Sequence, residues 1–225
     1  MRGKNDVSNM LKEAGILFAI TLIAGLLLGV IYELTKEPIR VQEELAVKEA
    51  CAAAFPNPED GNGNVITELT YQITEYIPDE QLTSELAASG VEIGDVYTVT
   101  GVGMTYGFVV EATSKNGYGG NIVLYVGVGT DGTVMGVSIL ELSETAGLGM
   151  EAPKVLSPQF AGRNVESFVY TKSGAQADNE VDAITSATIT TSAVVEAVNG
   201  GIRTAQYLRD NWPQMIVEIG GGTDE

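Results

Sequence analysis

The sequence predicts an α+β protein with a mainly antiparallel sheet, preceded by a single transmembrane helix. An uncharged apolar run near the N-terminus is long enough to cross a bilayer. Later β-rich segments follow one another without regular βαβ alternation, and a run with helical spacing lies near the C-terminus. Hydrophobic residues make up 44% of the chain and charged residues 19%, which excludes a disordered protein.

The length and composition restrict the possible functions. At 225 residues the chain is long enough for one globular domain with an appendage. A formal net charge of −18 makes nucleic acid an unfavourable partner. The chain has no histidine and a single cysteine, Cys51, so Ser-His-Asp catalysis, histidine-ligated metals and an intrachain disulfide are all excluded.

The apolar run from Ala14 to Tyr32 contains no charge and spans roughly 28 Å as a helix. No A-x-A cleavage pattern follows it, and Cys51 is too distant for a lipoprotein signal, so a retained transmembrane helix over residues 14–32 is predicted. Three basic residues precede the apolar run and three follow it, so the positive-inside rule does not decide the orientation of the helix. Residues 33–225 carry 9 basic and 28 acidic residues, a net −19. We therefore expect residues 1–13 to be a cytoplasmic tail and the acidic domain to lie on the outer face.

The remaining chain is divided by composition. A stretch rich in Glu, Lys and Ala predicts a helical stalk over residues 33–55, and turn-forming residues over 56–64 predict a loop. The domain proper is expected over residues 56–219, with a flexible tail over 220–225. Within it, strands are predicted at 65–76 and 96–102, with a helical or irregular stretch at 79–89 between them.

A β-hairpin is the strongest local signal. The β-rich segments 122–128 and 133–140 flank Asp131-Gly132, which is typical of a type I′ turn. The surrounding Gly127-x-Gly129-x-x-Gly132 matches a dinucleotide fingerprint but leads into a strand instead of a helix, so chance glycines in a hairpin explain it better.

Six hydroxyl residues lie within the eight positions from Thr185 to Ser192, at the start of a predicted helix that runs from about Ser192 to Leu208. The start of a helix suits a phosphate group, because its free N–H groups and positive dipole end attract anions. Ordinary N-capping explains the same residues, and from the residues alone it is the simpler interpretation. The helical spacing is carried by Val194, Val198, Ile202, Ala205 and Leu208.

The residue pattern of this segment resembles a known motif. After Asp182, Thr185-Ser-Ala-Thr-Ile-Thr190 is similar to the [ST]-[GS]-A-T-x-[ST] part of a motif at which FMN is joined through its phosphate to the threonine of A-T, which is Thr188 in this sequence. Three further segments resemble motifs of the same family in the expected order: Gly117-Tyr-Gly-Gly120, Glu144-Thr-Ala-Gly-Leu-Gly149 and Gln159-Phe-Ala-Gly-Arg163. The chain thus resembles the G subunit of the Rnf electron-transport complex, whose close relative is the C subunit of the sodium-pumping NADH:quinone reductase.

The resemblance implies an FMN-binding domain with FMN covalently attached to Thr188. It implies that a turn against the flavin ring is formed by Glu144, Thr145, Gly147 and Leu148, with Thr145 hydrogen bonding and Leu148 packing. Two residues depart from the pattern: Ala146 stands in place of the usual proline, and Ser186 stands where glycine is commonest. The implied cofactor-binding residues are Thr188, Thr185, Ser186, Ala187, Thr190, Thr191, Glu144, Thr145, Gly147, Leu148, Lys154 and Tyr118, with Lys172 as a further candidate.

The implied function is electron transfer within an ion-translocating ferredoxin:NAD oxidoreductase in a prokaryotic cytoplasmic membrane. The chain alone is expected to catalyse no complete reaction and to contain no catalytic side chain and no metal. The implied partners are the other subunits of the complex, membrane lipid, and a flavin transferase that attaches the cofactor. Three alternatives stay open: the quinone reductase subunit, a membrane-anchored regulatory flavin domain, and a structural ectodomain whose hydroxyls only cap a helix.

Overall fold

The computed structural model describes residues 2–58, 65–74 and 80–220, and the chain forms two compact units, Met1–Ala46 and Val47–Glu225. The first unit consists of most of one long helix, α1 (Arg2–Ala54). Within the described part of the chain, this helix alone is long and apolar enough to cross a membrane. Most of the predicted loop over 56–64, the residues around 75–79 and the predicted tail beyond residue 220 lie outside the described residues.

The second unit is built on a five-stranded antiparallel sheet in which each strand pairs with the next along the chain. This arrangement confirms the predicted α+β class with a mainly antiparallel sheet. A small parallel pair of strands lies apart from it. The main sheet contains β1 (Thr70–Ile73), β2 (Val91–Gly101), β3 (Met104–Ser114), β4 (Ile122–Gly129) and β5 (Val134–Leu142), and the parallel pair contains β6 (Val169–Thr171) and β7 (Glu180–Asp182).

Among the described residues of this unit, four α-helices accompany the sheet. Three are short and lie in connections, and the fourth is the long C-terminal helix that begins at the hydroxyl cluster. They are α2 (Glu80–Ala88), α3 (Ala152–Val155), α4 (Ser157–Phe160) and α5 (Thr188–Gly220).

One face of the sheet packs against α5. The residues predicted from helical spacing are all buried there: Val194, Val198, Ile202, Ala205 and Leu208 are at most 2% exposed. Two adjacent glycines, Gly200 and Gly201, are tolerated inside this helix because the sheet approaches closely. A Cβ at Gly201 would lie 2.7 Å from Val126 Cγ2, and one at Gly200 would lie 2.8 Å from Val91 Cγ1.

The opposite face of the sheet is covered by the end of α1 and by Phe55, which follows it. Ala50, Cys51, Ala54 and Phe55 form a second core with a set of sheet residues, and all four are at most 5% exposed. The end of the predicted stalk is therefore part of the folded domain. The sheet residues in this second core are Tyr97, Val99, Val109 and Tyr125.

The predicted hairpin is present as β4 and β5, but its turn differs from the predicted type I′. Gly132 has a positive φ of 89°, whereas Asp131 does not. The Gly132 N–H donates to Gly129 O at 2.9 Å, and the Gly129 N–H donates to Thr133 O at 2.8 Å. This is the pattern of a three-residue loop that ends in a left-handed glycine. Asp131 instead accepts hydrogen bonds from the Thr133 N–H and hydroxyl, which lower the pKa of its carboxyl group.

Candidate functional site

A cleft of about 510 Å³ opens where α5 begins, at the end of the sheet where β5 stops and β3 connects to β4. Such a volume lies within the usual range for small-molecule sites. Three segments far apart in sequence form its walls: the loop before β4, the segment after β5, and the start of α5. The lining residues are Tyr118, Glu144, Thr145, Leu148, Gly149, Ser186, Ala187, Thr188, Ile189 and Thr190.

The six hydroxyls of the cluster divide into two groups. Thr190, Thr191 and Ser192 are bonded within the protein. The Thr190 hydroxyl donates to Glu144 Oε2 at 3.0 Å, and the Ser192 hydroxyl donates to Glu196 Oε1 at 3.0 Å. The Thr191 hydroxyl donates to Ala187 O at 2.9 Å and accepts from the Ile184 N–H at 3.1 Å.

The other three hydroxyls, those of Thr185, Ser186 and Thr188, have no hydrogen-bond partner within the described residues. Thr185 and Ser186 are exposed, and Thr188 is half-buried at the first position of α5. Ser186 and Thr188 line the cleft. The structure therefore separates capping hydroxyls from those that are available to a ligand.

A tight turn places these free hydroxyls. The Ala187 N–H donates to Ile184 O at 3.0 Å, and Ser186 within this turn has a φ of 62°. A left-handed backbone is unfavourable for any residue with a Cβ and is adopted most readily by glycine. This explains why glycine is commonest at this position of the motif. In this chain Ser186 adopts the left-handed conformation with its side chain exposed to solvent.

The backbone at the start of α5 offers further donors. The Ala187 and Thr191 N–H groups are bonded within the chain, to Ile184 O and Ala187 O. The N–H groups of Thr188, Ile189 and Thr190 have no backbone acceptor within the described residues. Free N–H groups in a first helical turn, together with the positive end of the helix dipole, favour an anion.

The segment after β5 forms a second turn beside the helix. The Leu148 N–H donates to Thr145 O at 3.1 Å, and Gly147 has a φ of 74°. A positive φ at the third position of a β-turn favours glycine, and proline is favoured one position earlier. Ala146 occupies that earlier position, which accounts for the proline of the related motif.

The loop between β3 and β4 completes the cleft. A Cβ on Gly117 would overlap Gly120 O, and one on Gly119 would overlap Ser143 O. Both positions thus need glycine for close approach of the backbone. Tyr118 lies between them and is 70% exposed at the edge of the cleft.

The cleft combines an anion-binding end with an apolar rim. Its described lining contains no lysine or arginine, so only hydroxyls, N–H groups and the helix dipole are available to neutralise a phosphate. Tyr118, Leu148 and Ile189 provide partly exposed aromatic and apolar surface around it. These features fit a flavin mononucleotide, which has a phosphate at one end and a flat aromatic ring at the other.

Most, but not all, of the site residues predicted from sequence meet in this cleft. Gly147 and Thr185 do not line it and lie in the turns on either side. Thr191 is fully buried beneath the helix start. The exposed Lys154 lies on α3, and Lys172 is likewise exposed and absent from the lining. Those brought together are Tyr118, Glu144, Thr145, Leu148, Ser186, Ala187, Thr188 and Thr190.

Two lining residues were not predicted. Gly149 is buried, and a Cβ there would lie 2.6 Å from Thr190 Oγ1 and 2.7 Å from Glu144 Cβ. Ile189 is 52% exposed on the first turn of α5. An apolar residue within a run of hydroxyl residues was the available signal for Ile189, and the available signal for Gly149 was its place as the last glycine of the motif from Glu144 to Gly149.

Comparison with known proteins gives two family matches. Residues 117–203 match the FMN-binding domain, and residues 1–52 match the RnfG N-terminal region. The first match contains every residue that lines the cleft, and the second contains the whole predicted transmembrane segment.

Individual relatives agree with these matches. The G subunit of the ion-translocating oxidoreductase complex of Vibrio atlanticus is 30% identical over 215 residues, which cover 93% of this chain and 96% of that protein. The G subunit of the Na(+)-translocating ferredoxin:NAD(+) oxidoreductase complex of Acetobacterium woodii is 33% identical over 132 residues, covering 57% of this chain and 64% of that protein. The crystal structure of Shewanella oneidensis NqrC is 25% identical, covers 52% of this chain and 60% of that chain, and has a TM-score of 0.44.

Proposed function

Since this chain belongs to the family of G subunits of ion-translocating oxidoreductase complexes and is a flavin-binding electron-transport subunit, we propose that its FMN is joined through the phosphate to Thr188. The observation that carries the proposal is the Thr188 hydroxyl, which lines the cleft and has no partner within the described residues. FMN supplies the redox chemistry, because it accepts and releases one or two electrons. The protein binds it, orients it and controls its surroundings.

The electrostatics of the cleft support a covalent linkage. A phosphate dianion in a cleft without a lining lysine or arginine is held only by dipoles and neutral hydrogen bonds, which are weaker than charge-assisted bonds. A phosphoester to Thr188 retains the cofactor without a cationic side chain. The chain has no histidine and no lysine in the described lining to activate the Thr188 hydroxyl, so a separate flavin transferase is part of the proposal.

The attachment is tested by denaturing electrophoresis of the protein, expressed in membranes together with a flavin transferase and scanned for flavin fluorescence. We expect a fluorescent wild-type band and a dark Thr188→Ala band. Thr130→Ala is the matched control, because it removes an exposed threonine hydroxyl in the turn between β4 and β5, outside the cleft lining, and its band should remain fluorescent. Fluorescence that persists in Thr188→Ala would place the attachment elsewhere, and a dark wild-type band would refute the flavoprotein proposal.

We further propose that α1 anchors the chain in a prokaryotic cytoplasmic membrane, with the N-terminus in the cytoplasm and the FMN-binding domain on the outer face. The support is the length of the uncharged segment and the net −19 of residues 33–225. Because Cys51 is fully buried, a cysteine introduced by Ser173→Cys should be the one readily labelled thiol. A membrane-impermeant maleimide should label it in intact cells, whereas labelling only after lysis would reverse the orientation.

Within the assembled complex, the proposed role is to pass electrons between neighbouring redox centres on the path between ferredoxin and NAD. This step is coupled by the whole complex to movement of Na⁺ or H⁺. The Acetobacterium woodii relative carries ferredoxin, NAD⁺ and Na⁺ in its name. Purified chain alone should show no ferredoxin:NAD oxidoreductase activity, and such activity in the isolated chain would contradict a role limited to electron transfer.

A further inference from the structure

The loop over residues 115–121 is attached to α5 through two carboxylates, Glu144 from the segment after β5 and Glu196 from α5 itself. Each carboxylate accepts one hydrogen bond from the loop and one from a hydroxyl on α5. Glu144 connects the loop to Thr190, and Glu196 connects it to Ser192. The repeated arrangement suggests a single purpose for both residues.

Glu144 makes the first connection. Its Oε1 accepts from the Gly119 N–H at 3.2 Å, and its Oε2 accepts from the Thr190 hydroxyl at 3.0 Å. Thr190 is only 2% exposed. The carboxylate lies between two glycines: a Cβ at Gly117 would lie 2.9 Å from Oε1, and one at Gly149 would lie 2.9 Å from Oε2. Space for this carboxylate therefore depends on glycine on both sides.

Glu196 makes the second connection. Its Oε2 accepts from Asn116 Nδ2 at 2.9 Å, and its Oε1 accepts from the Ser192 hydroxyl at 3.0 Å. Asn116 Nδ2 also donates to Ser89 O at 2.8 Å, which connects the loop to the turn after α2. The loop is thus held on both sides of Tyr118.

Tyr118 itself depends on these contacts. Its side chain is 70% exposed and has no hydrogen bond or ring contact within the described residues. Its neighbours Gly117, Gly119 and Gly120 give the loop a permissive backbone, which loses more entropy on ordering than other residues. The position of Tyr118 at the cleft is therefore set by the Asn116 side chain on one side of it and the Gly119 N–H on the other.

We propose that Glu144 and Glu196 are positioning residues that hold the 115–121 loop against the start of α5 and so place Tyr118 over the flavin. The proposal rests on the proposed function, because it gives the two carboxylates their role through bound FMN. In this role, neither Glu144 nor Glu196 needs to contact the cofactor. The hydroxyls of Thr190 and Ser192 hydrogen-bond these two carboxylates. They therefore help to hold the loop and do not bind the phosphate.

The test uses the full-length, flavinylated protein in detergent and measures the visible circular dichroism of the flavin. A flat flavin ring gives a strong signal only when an asymmetric protein surface holds it in one orientation. Loss of one such hydrogen bond shifts the ratio of held to released loop by about fivefold. Glu196→Ala and Asn116→Ala should therefore each shift this ratio toward the released loop and lower the flavin signal below that of the wild type, with unchanged flavin content in denaturant.

Two controls separate positioning from general destabilisation. Asp131→Ala removes a carboxylate that also accepts one N–H and one hydroxyl, but it lies at the opposite end of β5, and its flavin signal should equal that of the wild type. In a Tyr118→Ala background, Glu196→Ala should cause no further change, because its effect passes through Tyr118.

Each outcome decides the proposal. A wild-type signal in both Glu196→Ala and Asn116→Ala overturns it, as does an equal further loss in the Tyr118→Ala background. If Glu196→Ala does not fold, the exposed Asn116 still tests the same contact. A wild-type protein that carries no flavin refutes the proposed function instead, and that result is distinct because it appears before any variant is compared.

Discussion

The Thr190 hydroxyl donates a hydrogen bond to Glu144 Oε2 at 3.0 Å, across 46 positions of sequence. This contact joins the segment after the last strand of the main sheet to the first turn of α5. Thr190 is buried, whereas Glu144 is half-buried. The walls of the flavin cleft are therefore connected by a polar contact beneath its surface.

Replacement of Thr190 by valine should destabilise the protein by about 1–2 kcal/mol, because a partly buried carboxylate loses a hydroxyl donor without loss of side-chain volume. Denaturant unfolding of the full chain measures the change. Thr185→Val is the control, since Thr185 is exposed and unbonded, and it should change the free energy of unfolding by less than about 0.5 kcal/mol. Equal stability of Thr190→Val and wild type would show that the contact contributes nothing.

The turn from Thr145 to Leu148 gives a pair of opposite predictions. Ala146→Pro should raise stability by about 0.4–1 kcal/mol, because proline restricts the unfolded chain and suits the position before a left-handed glycine. Gly147→Ala should lower it by about 1–2 kcal/mol, since Gly147 has a φ of 74° and a Cβ there would meet no atom within 4 Å, so backbone strain alone acts.

Thermal unfolding of both turn variants beside wild type measures these changes. A higher melting temperature for Ala146→Pro and a lower one for Gly147→Ala would support this turn, in which position 146 has a backbone conformation that proline can adopt. A loss of stability in Ala146→Pro would mean that the turn in solution has a different backbone conformation at that position.

Local patterns were sufficient to predict much of this fold. The spacing from Val194 to Leu208 identified the buried face of α5, and two β-rich segments that flank Asp131-Gly132 identified the hairpin. Both depend on neighbours in sequence, for which side-chain periodicity is a direct guide. The helix nevertheless begins at Thr188, four residues before the predicted start, because the turn at Ser186 ends there.

Long-range contacts were not predictable in the same way. Some hydroxyls of the cluster are bonded within the protein and others remain free. The division depends on Glu144 and on the backbone around Ile184, and no local sequence pattern contains that information. The packing of Cys51 and Phe55 on the sheet was missed for a related reason. Their apolar stripe covers only two turns at the end of a helix rich in Glu and Lys, so it resembles a solvent-exposed stalk.

This second core predicts where an independently folding fragment begins. A fragment of residues 47–220 should unfold cooperatively, whereas residues 56–220 should be less stable by at least about 3 kcal/mol, because removal of a buried Phe side chain alone costs about 3–5 kcal/mol. Phe55 is 1% exposed and lies against Gly107, where a Cβ would come within 2.6 Å of its ring. The shorter fragment would also expose Tyr97 and Tyr125.

Denaturant unfolding and dye binding to exposed apolar surface compare the two fragments. Equal stability, with no additional dye binding by the shorter fragment, would show that the end of α1 does not belong to the folded domain.

Cys51 gives the last prediction, on the dependence of stability on pH. Burial raises the pKa of its thiol from 9.0 to about 12, and the Glu111 carboxylate adds to the shift. Since the pKa is higher in the folded state, the thiol stabilises the fold fully below its unfolded pKa of 9.0, and that contribution disappears as the pH rises through about 12.

Denaturant unfolding across this range should show that wild type loses more stability than Cys51→Ala. Burial also raises the pKa values of Tyr97 and Tyr125, and the nearby Cys51 thiolate adds to both shifts, so the difference between the two proteins includes this coupling as well as the thiol itself. Identical pH dependence in the two proteins would mean that the thiol is accessible to water, and rapid maleimide labelling of the native protein would then be expected as well.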